Sequence, residues 1–159
     1  MLTTNPGSEE QWANQIDAVV SHVFQTMLLR SCGVAGQDAA QDHDISARVV
    51  FTGAVAGHCV VEFPFTTAEK LTDAYLGTED GEWDDAMIED AVGELCNMIA
   101  GGWKGKLGKL DSACQLSAPS IWRSTSWRRT GRAPNMTGTR VRRTYTFDGS
   151  AFNVRLVLG

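Results

Sequence analysis

Residues 90–102 read DAVGELCNMIAGG, and this stretch decides how the surrounding chain folds. At about 100° per residue, its apolar side chains collect within an arc of about 120° on one side of a helix. A separate, narrower arc beside it holds three polar residues and a glycine: Asp90, Glu94, Asn97 and Gly101. The first arc predicts a buried helix face. Spacing alone favours an ordinary polar outer face for the second arc, because any surface helix carries such residues.

Turn and cap residues place helices and strands on both sides of this motif helix. Thr66 with Glu69 predicts a capping box at the start of a short helix. Asp84 or Asp85 is expected to cap the motif helix, and Asp148-Gly149 suits a type I′ turn between two strands. The predicted elements, in chain order, are a helix over 9–32, a β-hairpin over 45–65, a helix ending near 77, the motif helix to about 107, a strand over 113–121 and a hairpin over 139–158.

The order of these elements predicts an α+β fold, in which an antiparallel β-sheet packs against long α-helices. With 159 residues, of which 43% are hydrophobic, the chain is long enough to bury a core. We therefore expect a single domain over residues 1–159, with residues 1–8 frayed.

Composition argues against several classes of protein. No segment has the ~18 uninterrupted apolar residues of a membrane span, and residues 1–12 lack the basic and apolar regions of a secretion signal. The four cysteines are scattered in apolar contexts without a C-x-x-C pair, which predicts small buried hydrophobes in a reducing compartment. The three histidines are not at metal-ligand spacing. We expect a cytoplasmic protein without a metal site.

The formal net charge of −5 hides an asymmetry along the chain. Residues 1–100 contain 3 Lys or Arg and 17 Asp or Glu, whereas residues 101–159 contain 11 and 2. The acidic part includes most of the motif helix. Its negative charge favours a partner with a basic rim, chiefly by raising the rate of association.

The series Asp90-x3-Glu94-x2-Asn97, followed by Pro119 in the segment LSAPSI, resembles the active-site signature of the CheC/CheX/FliY family of chemotaxis phosphatases. The segment 51–77, FTGAVAGHCVVEFPFTTAEKLTDAYLG, is similar to the family's hairpin and following helix. The continuation of the motif helix, NMIAGGWKGKL, is similar as well. This ordered series of hairpin, helix, motif helix and strand implies a CheC/CheX-like fold.

The resemblance covers most of residues 10–122 and includes one copy of the motif. CheC proteins carry two copies, whereas in the first predicted helix Glu10 and Asn14 are four residues apart rather than three. The chain therefore resembles the CheX branch of the family, and one active site is expected.

The resemblance implies a phosphatase that hydrolyses the aspartyl phosphate of a CheY-like response regulator. Asn97 is the candidate that orients the attacking water, and Glu94 matches the residue that pairs with the regulator's lysine. The regulator supplies an acidic pocket and Mg²⁺, so we expect no cofactor in this chain. The alternative is a CheX-like module that docks a receiver domain without turnover.

Three further positions have expected roles. Asp90 matches the outer position of the motif and is assigned to docking of the regulator, together with Gly101. Pro119 is expected to shape the strand end beneath the motif helix. CheX-type proteins form homodimers, and the resemblance therefore implies a homodimer here too.

Two features depart from the family pattern. Trp103 follows Gly102 where a small residue is expected, and the segment 122–132 is unusually rich in Arg and Trp. In one interpretation, its Arg residues compensate the negative charge of the acidic half of the chain. In the other, they bind nucleic acid or another polyanion by charge and stacking, although nucleic acid is the less favoured partner.

Overall fold

The structure is a computed structural model that describes residues 7–35, 43–79, 81–124 and 137–159. Its strands are β1 (Gly33–Val34), β2 (Ile45–Gly53), β3 (Gly57–Phe63), β4 (Cys114–Leu116), β5 (Ser120–Arg123), β6 (Thr139–Phe147) and β7 (Ser150–Leu158). In the described parts of the chain they form one antiparallel sheet in the order β1-β6-β7-β3-β2-β4, and β5 also pairs with β2.

In the described ranges, three α-helices pack against this sheet: α1 (Glu9–Val23), α2 (Phe65–Leu76) and α3 (Asp85–Gly105). Alternate strand residues turn towards them, as the period of two in a strand requires. These strand residues and the apolar helix residues form one hydrophobic cluster, in which Phe63 stacks on Phe152 with ring centroids 4.6 Å apart. The expected α+β architecture is confirmed. The extent of the domain, residues 1–159, stays a prediction, as does the homodimer.

The predicted N-terminal caps of α2 and α3 had different outcomes. Asp84 caps α3, because its carboxylate accepts the backbone N–H of Met87 at 2.9 Å. The predicted capping box of Thr66 and Glu69 is wrong. Helix α2 begins at Phe65, whose backbone N–H donates to the carboxylate of Asp44 at 2.8 Å. This cap comes from a residue on the far side of a hairpin, so no local pattern could reveal it.

The strand expected over 113–121 is divided. A 3₁₀ turn occupies Gly108–Ala113, and β4 and β5 then pair with different parts of β2. Between them, Ser117 exchanges hydrogen bonds with Val50, since its hydroxyl oxygen accepts the Val50 N–H and its own N–H donates to the Val50 carbonyl, both at 2.9 Å. The break at Ser117 brings the following Pro119 under α3.

The first helix ends earlier than expected. After Val23 the chain makes one π-helical turn over Phe24–Leu28, and Leu29 ends it with a left-handed φ of 55°. The short strand β1 was not predicted. The type I′ turn is confirmed, because Asp148 and Gly149 both have positive φ, 50° and 75°.

All four cysteines are free. Cys59, Cys96 and Cys114 are buried and Cys32 is half-buried, which confirms their interpretation as small hydrophobes. Burial raises the pKa of the Cys32 thiol to about 12.

Candidate functional site

The polar arc predicted for the motif helix lies on the solvent side of α3. Asp90 is exposed, and Glu94 and Asn97 are half-buried. Since residues three and four apart on a helix are neighbours, the Cβ atoms of Glu94 and Asn97 are about 5–6 Å apart. The opposite side of the helix is buried against the core, with Leu95 and Ile99 both fully inaccessible. The structure therefore brings the predicted site residues together on one fixed surface.

Two pairs of acidic residues on α3 have different surroundings. Asp85 and Glu89 face Arg123 of β5, whose Nε donates to Glu89 Oε1 at 3.1 Å and whose Nη2 lies 3.5 Å from Asp85 Oδ1. Within the described parts of the chain, Asp90 and Glu94 have no ion pair or hydrogen bond from their side chains. The same holds for the carboxamide of Asn97. These three side chains are thus available to a partner, whereas Asp85 and Glu89 hold α3 to the sheet.

Gly93 lies four residues before Asn97, on the same side of α3. A Cβ at Gly93 would lie 3.2 Å from Ile121 Cδ1 and 3.5 Å from Pro119 Cγ. Only the distance to Ile121 is tight, so the missing side chain of Gly93 makes room for Ile121, whereas Pro119 lies at an ordinary van der Waals distance. Pro119 thus lies next to the motif helix at the break between β4 and β5, and its role in shaping the strand end stays a prediction. Gly93 was not singled out from the sequence, although its spacing from Asn97 was a usable signal.

Gly101 and Gly102 are adjacent but serve different contacts. A Cβ at Gly102 would lie 2.5 Å from Val19 Cγ1 of α1, so this glycine allows the two helices to approach closely. Among the residues that the structure describes, a Cβ at Gly101 would meet Leu116 Cδ1 alone, at the ordinary van der Waals distance of 4.0 Å. Packing among those residues therefore explains Gly102 and does not require Gly101.

The core fixes the backbone of α3 around the site. Cys96, directly before Asn97, has its thiol 3.5 Å from the carbonyl oxygen of Ala47 on β2 and 3.4 Å from that of Cys59 on β3. Burial raises the pKa of the Cys96 thiol, which keeps it protonated as a donor. The side chain next to Asn97 is thus anchored to the two central strands beneath it.

Trp103 anchors the same helix one turn after Ile99. It is 0% exposed and packs on Phe51, with ring centroids 5.2 Å apart. Its indole N–H donates to Gln15 Oε1 of α1 at 3.1 Å. The large residue that departs from the expected pattern therefore joins α3 to both β2 and α1.

The Arg/Trp-rich segment is partly explained by contacts within the chain. Arg48 lies over the ring of Trp122, 4.7 Å from its centroid, and Arg123 engages Asp85 and Glu89. These contacts fit the compensating role proposed for this segment. The remaining residues of the polyanion hypothesis, Trp127, Arg128, Arg129 and Arg132, lie outside the described residues.

A search of the described ranges finds no group of three or more His, Cys, Asp or Glu residues arranged to hold a metal ion. Among the helices in those ranges, none has the length and apolarity needed to cross a membrane.

Comparisons with known proteins identify relatives of this chain. A family model described as "Chemotaxis phosphatase CheX" matches residues 45–135, a range that includes Asp90, Glu94, Asn97 and Pro119. The CheY-P phosphatase CheX of Thermotoga maritima is 29% identical over 79 residues, which are 50% of this chain and 51% of that protein. The chain thus matches about half the length of this relative.

Solved structures extend the likeness to nearly the whole chain. A crystal structure of the chemotaxis protein CheX from Desulfovibrio desulfuricans has a TM-score of 0.73 at 24% identity, covering 94% of this chain and 99% of that one. The CheX-CheY-BeF₃-Mg²⁺ complex from Borrelia burgdorferi has a TM-score of 0.66 at 18% identity, covering 92% and 97%. At these identities the structures establish the fold. Since the family model spans more than half of the residues, the chain belongs to the CheX family of chemotaxis phosphatases.

Proposed function

We propose that this protein accelerates hydrolysis of the aspartyl phosphate of a CheY-like response regulator, with Glu94 and Asn97 of α3 entering the regulator's phosphorylation site. The likeness to a protein named as a CheY-P phosphatase supports the substrate class. The observation that carries the residue assignment is local. Glu94 and Asn97 project without internal partners, among the described residues, from a helix whose opposite face is locked into the core.

Asn97 supplies the group that positions water. An acyl phosphate is already activated, so catalysis consists mainly of holding a water molecule in line with the phosphorus atom. The carboxamide oxygen of Asn97 accepts a hydrogen bond from this water, while its NH₂ group donates to a neighbouring oxygen. A carboxamide does not remove a proton at neutral pH. Asn97 therefore orients the water, as a glutamine does in GTP hydrolysis.

Glu94 and its neighbours hold the regulator in a fixed position on α3. The Glu94 carboxylate pairs with the lysine of the phosphorylation site, and the exposed Asp90 extends the acidic contact towards the start of α3. Gly101 lets the regulator's backbone approach α3, which accounts for a glycine that packing within the chain does not require.

The magnesium ion of the reaction is assigned to the regulator, whose acidic pocket binds it next to the phosphoryl group. The Borrelia complex, of a CheX with CheY, contains BeF₃ and Mg²⁺. This chain's own residues bind the loaded regulator, exclude bulk water and orient one water molecule.

The test is release of inorganic phosphate from phosphorylated CheY-like receivers of the same genome, with and without this protein. Wild type should accelerate release from at least one receiver. Asn97→Ala should abolish the acceleration, because it removes the water-orienting group alone. Gln115→Ala is the matched control, since Gln115 is an exposed carboxamide on β4 whose side chain, by the alternation of a strand, projects to the face opposite that of Leu116, which contacts α3.

Binding to a beryllofluoride-loaded receiver separates the two candidate functions. A phosphatase binds the loaded receiver and accelerates phosphate release. A docking module binds it with no effect on release, and that result would overturn the phosphatase proposal. Glu94→Ala should weaken binding as well as the rate, so unchanged affinity would remove its docking role.

A further inference from the structure

The motif arc of α3 is too small to form a complete docking surface. A stable protein–protein interface buries about 800 Å² on each partner, whereas the arc consists of a few side chains along one helix. The regulator must therefore also cover a surface next to α3. The neighbouring surfaces differ in charge and in shape.

A cleft between α1 and α3 lies directly beside the motif. One groove of about 480 Å³ has Met98 together with His22 and Val23 among its lining residues, and a second of about 450 Å³ is lined by residues of α1 that include Gln11. Lys106 lines both grooves, as does Ala18. The two grooves thus join into one cleft, and it begins at Met98, the residue that follows Asn97.

Gly102 gives the cleft its depth. Its contact with Val19 brings α1 and α3 together without a side chain between them, so the floor is formed by backbone and short side chains. The half-buried Met98 and the exposed Ala18 form apolar walls beside this floor. A protruding loop of a partner fits such a cleft better than it fits the convex face of α3.

The charges on α3 orient a partner relative to the cleft. Asp84, Asp85 and Asp90 lie at the start of the helix, whereas Lys104 and Lys106 lie at its end. Asp111 forms an ion pair with Lys104. Lys106 is exposed and has no ion pair within the described residues. It is therefore the lysine at this end of the cleft whose charge is available to a partner.

We propose that the α1–α3 cleft, with Lys106 at its centre, receives the acidic rim of the regulator's phosphorylation site. This inference rests on the proposed function and extends it to the orientation of the complex. The regulator's lysine meets Glu94, while its carboxylate-lined rim lies over Lys106 and His22, in the groove that begins at Met98. Glu10 also lines the other groove, so the rim does not extend into that one. The reverse orientation would place that rim against Asp84 and Asp85 and is disfavoured by charge repulsion.

Two variants test the cleft from its two walls. Lys106→Glu reverses the available charge, and Ala18→Glu adds a carboxylate to the α1 wall without removing a core residue. Each should raise the Kd for the beryllofluoride-loaded receiver about tenfold or more at low salt, and the increase should shrink as salt screens the charges. The rate of phosphate release at saturating protein should stay close to that of wild type.

Each variant has a matched control. Lys109→Glu reverses an exposed lysine near Lys106, and Ser21→Glu adds a carboxylate to an exposed position of α1; neither residue lines the cleft. Both should leave the Kd within about twofold of wild type. Equal effects of cleft and control variants, or no effect of the cleft variants, would overturn the proposal. If wild type binds the loaded receiver without accelerating hydrolysis, the proposed function fails while these binding measurements still decide the role of the cleft.

Discussion

Gly101 and Gly102 are adjacent residues of one helix, about 100° apart around its axis, and they have different surroundings. Gly102 faces α1, where a Cβ would lie 2.5 Å from Val19 Cγ1, whereas a Cβ at Gly101 would meet, among the described residues, Leu116 alone at 4.0 Å. The same division separates Glu89, which is paired with Arg123, from Glu94, which has no such partner in the described residues. Contacts within the chain explain one residue of each pair, and the other is left for a partner.

This difference makes stability and activity separable on a single helix. Substitutions of residues held by contacts within the chain should change the free energy of unfolding, and only Gly102, which also lines the cleft, should in addition affect binding. Substitutions on the outer face should change binding or turnover at nearly constant stability. The paired residues offer controls that match in chemistry and differ in surroundings.

The largest effect is expected for Trp103→Ala. Removing this fully buried side chain should lower the free energy of unfolding by about 3–5 kcal/mol, because it leaves a cavity between α3, β2 and α1. Urea denaturation followed by far-UV circular dichroism measures the loss. A loss below about 1 kcal/mol would contradict the assignment of Trp103 as an anchor of the helix.

Gly102→Ala should be the next most damaging. Because β-branched Val19 has little rotamer freedom in a helix, the new methyl group forces α1 and α3 apart at a cost of about 1–3 kcal/mol. Gly105→Ala is the control, since no atom of the described residues lies within 4 Å of a Cβ there. If both variants have the same thermal midpoint, the close approach of the two helices does not matter for stability.

Glu94→Gln and Glu89→Gln compare the two carboxylates directly. Glu94→Gln should weaken binding of a beryllofluoride-loaded receiver about tenfold, equivalent to about 1.4 kcal/mol, at unchanged stability. Glu89→Gln should instead lower stability by less than about 1 kcal/mol through its partly exposed ion pair and leave binding unchanged. Affinity titrations together with denaturation curves measure both quantities. If Glu89→Gln weakened binding and Glu94→Gln lowered stability, the assignment of the two carboxylates would be reversed.

Gly101→Ala should have the smallest effect on the fold, and in the favourable direction. Alanine has a higher helix propensity than glycine by up to about 1 kcal/mol, and the site has room for its methyl group. We expect a slightly raised thermal midpoint and a weakened complex with the receiver. A variant that is more stable and binds as tightly as wild type would show that Gly101 does not admit a partner.

The sequence predicted features that depend on near neighbours along the chain. The cap at Asp84 and the turn at Asp148-Gly149 are set by a few residues each, and both are present. The spacing of Asp90, Glu94 and Asn97 placed them on one face, because helix geometry alone determines this.

Features that depend on distant residues were missed. The cap of α2 comes from Asp44, and the strand over 113–121 is broken where Ser117 bonds Val50. The adjacent Gly101 and Gly102 could not be distinguished either, since the distinction depends on Val19 in a helix that lies far away in sequence. Local patterns therefore gave the candidate residues, and only packing separated those that serve the fold from those left free.

The most direct test of the central claim is the rate of phosphate release from a phosphorylated receiver at saturating concentrations of Asn97→Ala. If Asn97 orients the attacking water, the rate at saturation should fall at least about 100-fold, and the concentration that gives half-saturation should match that of wild type. Recovery of the wild-type rate at saturation would contradict this account, because it would make Asn97 a binding residue and leave the water-orienting group unassigned.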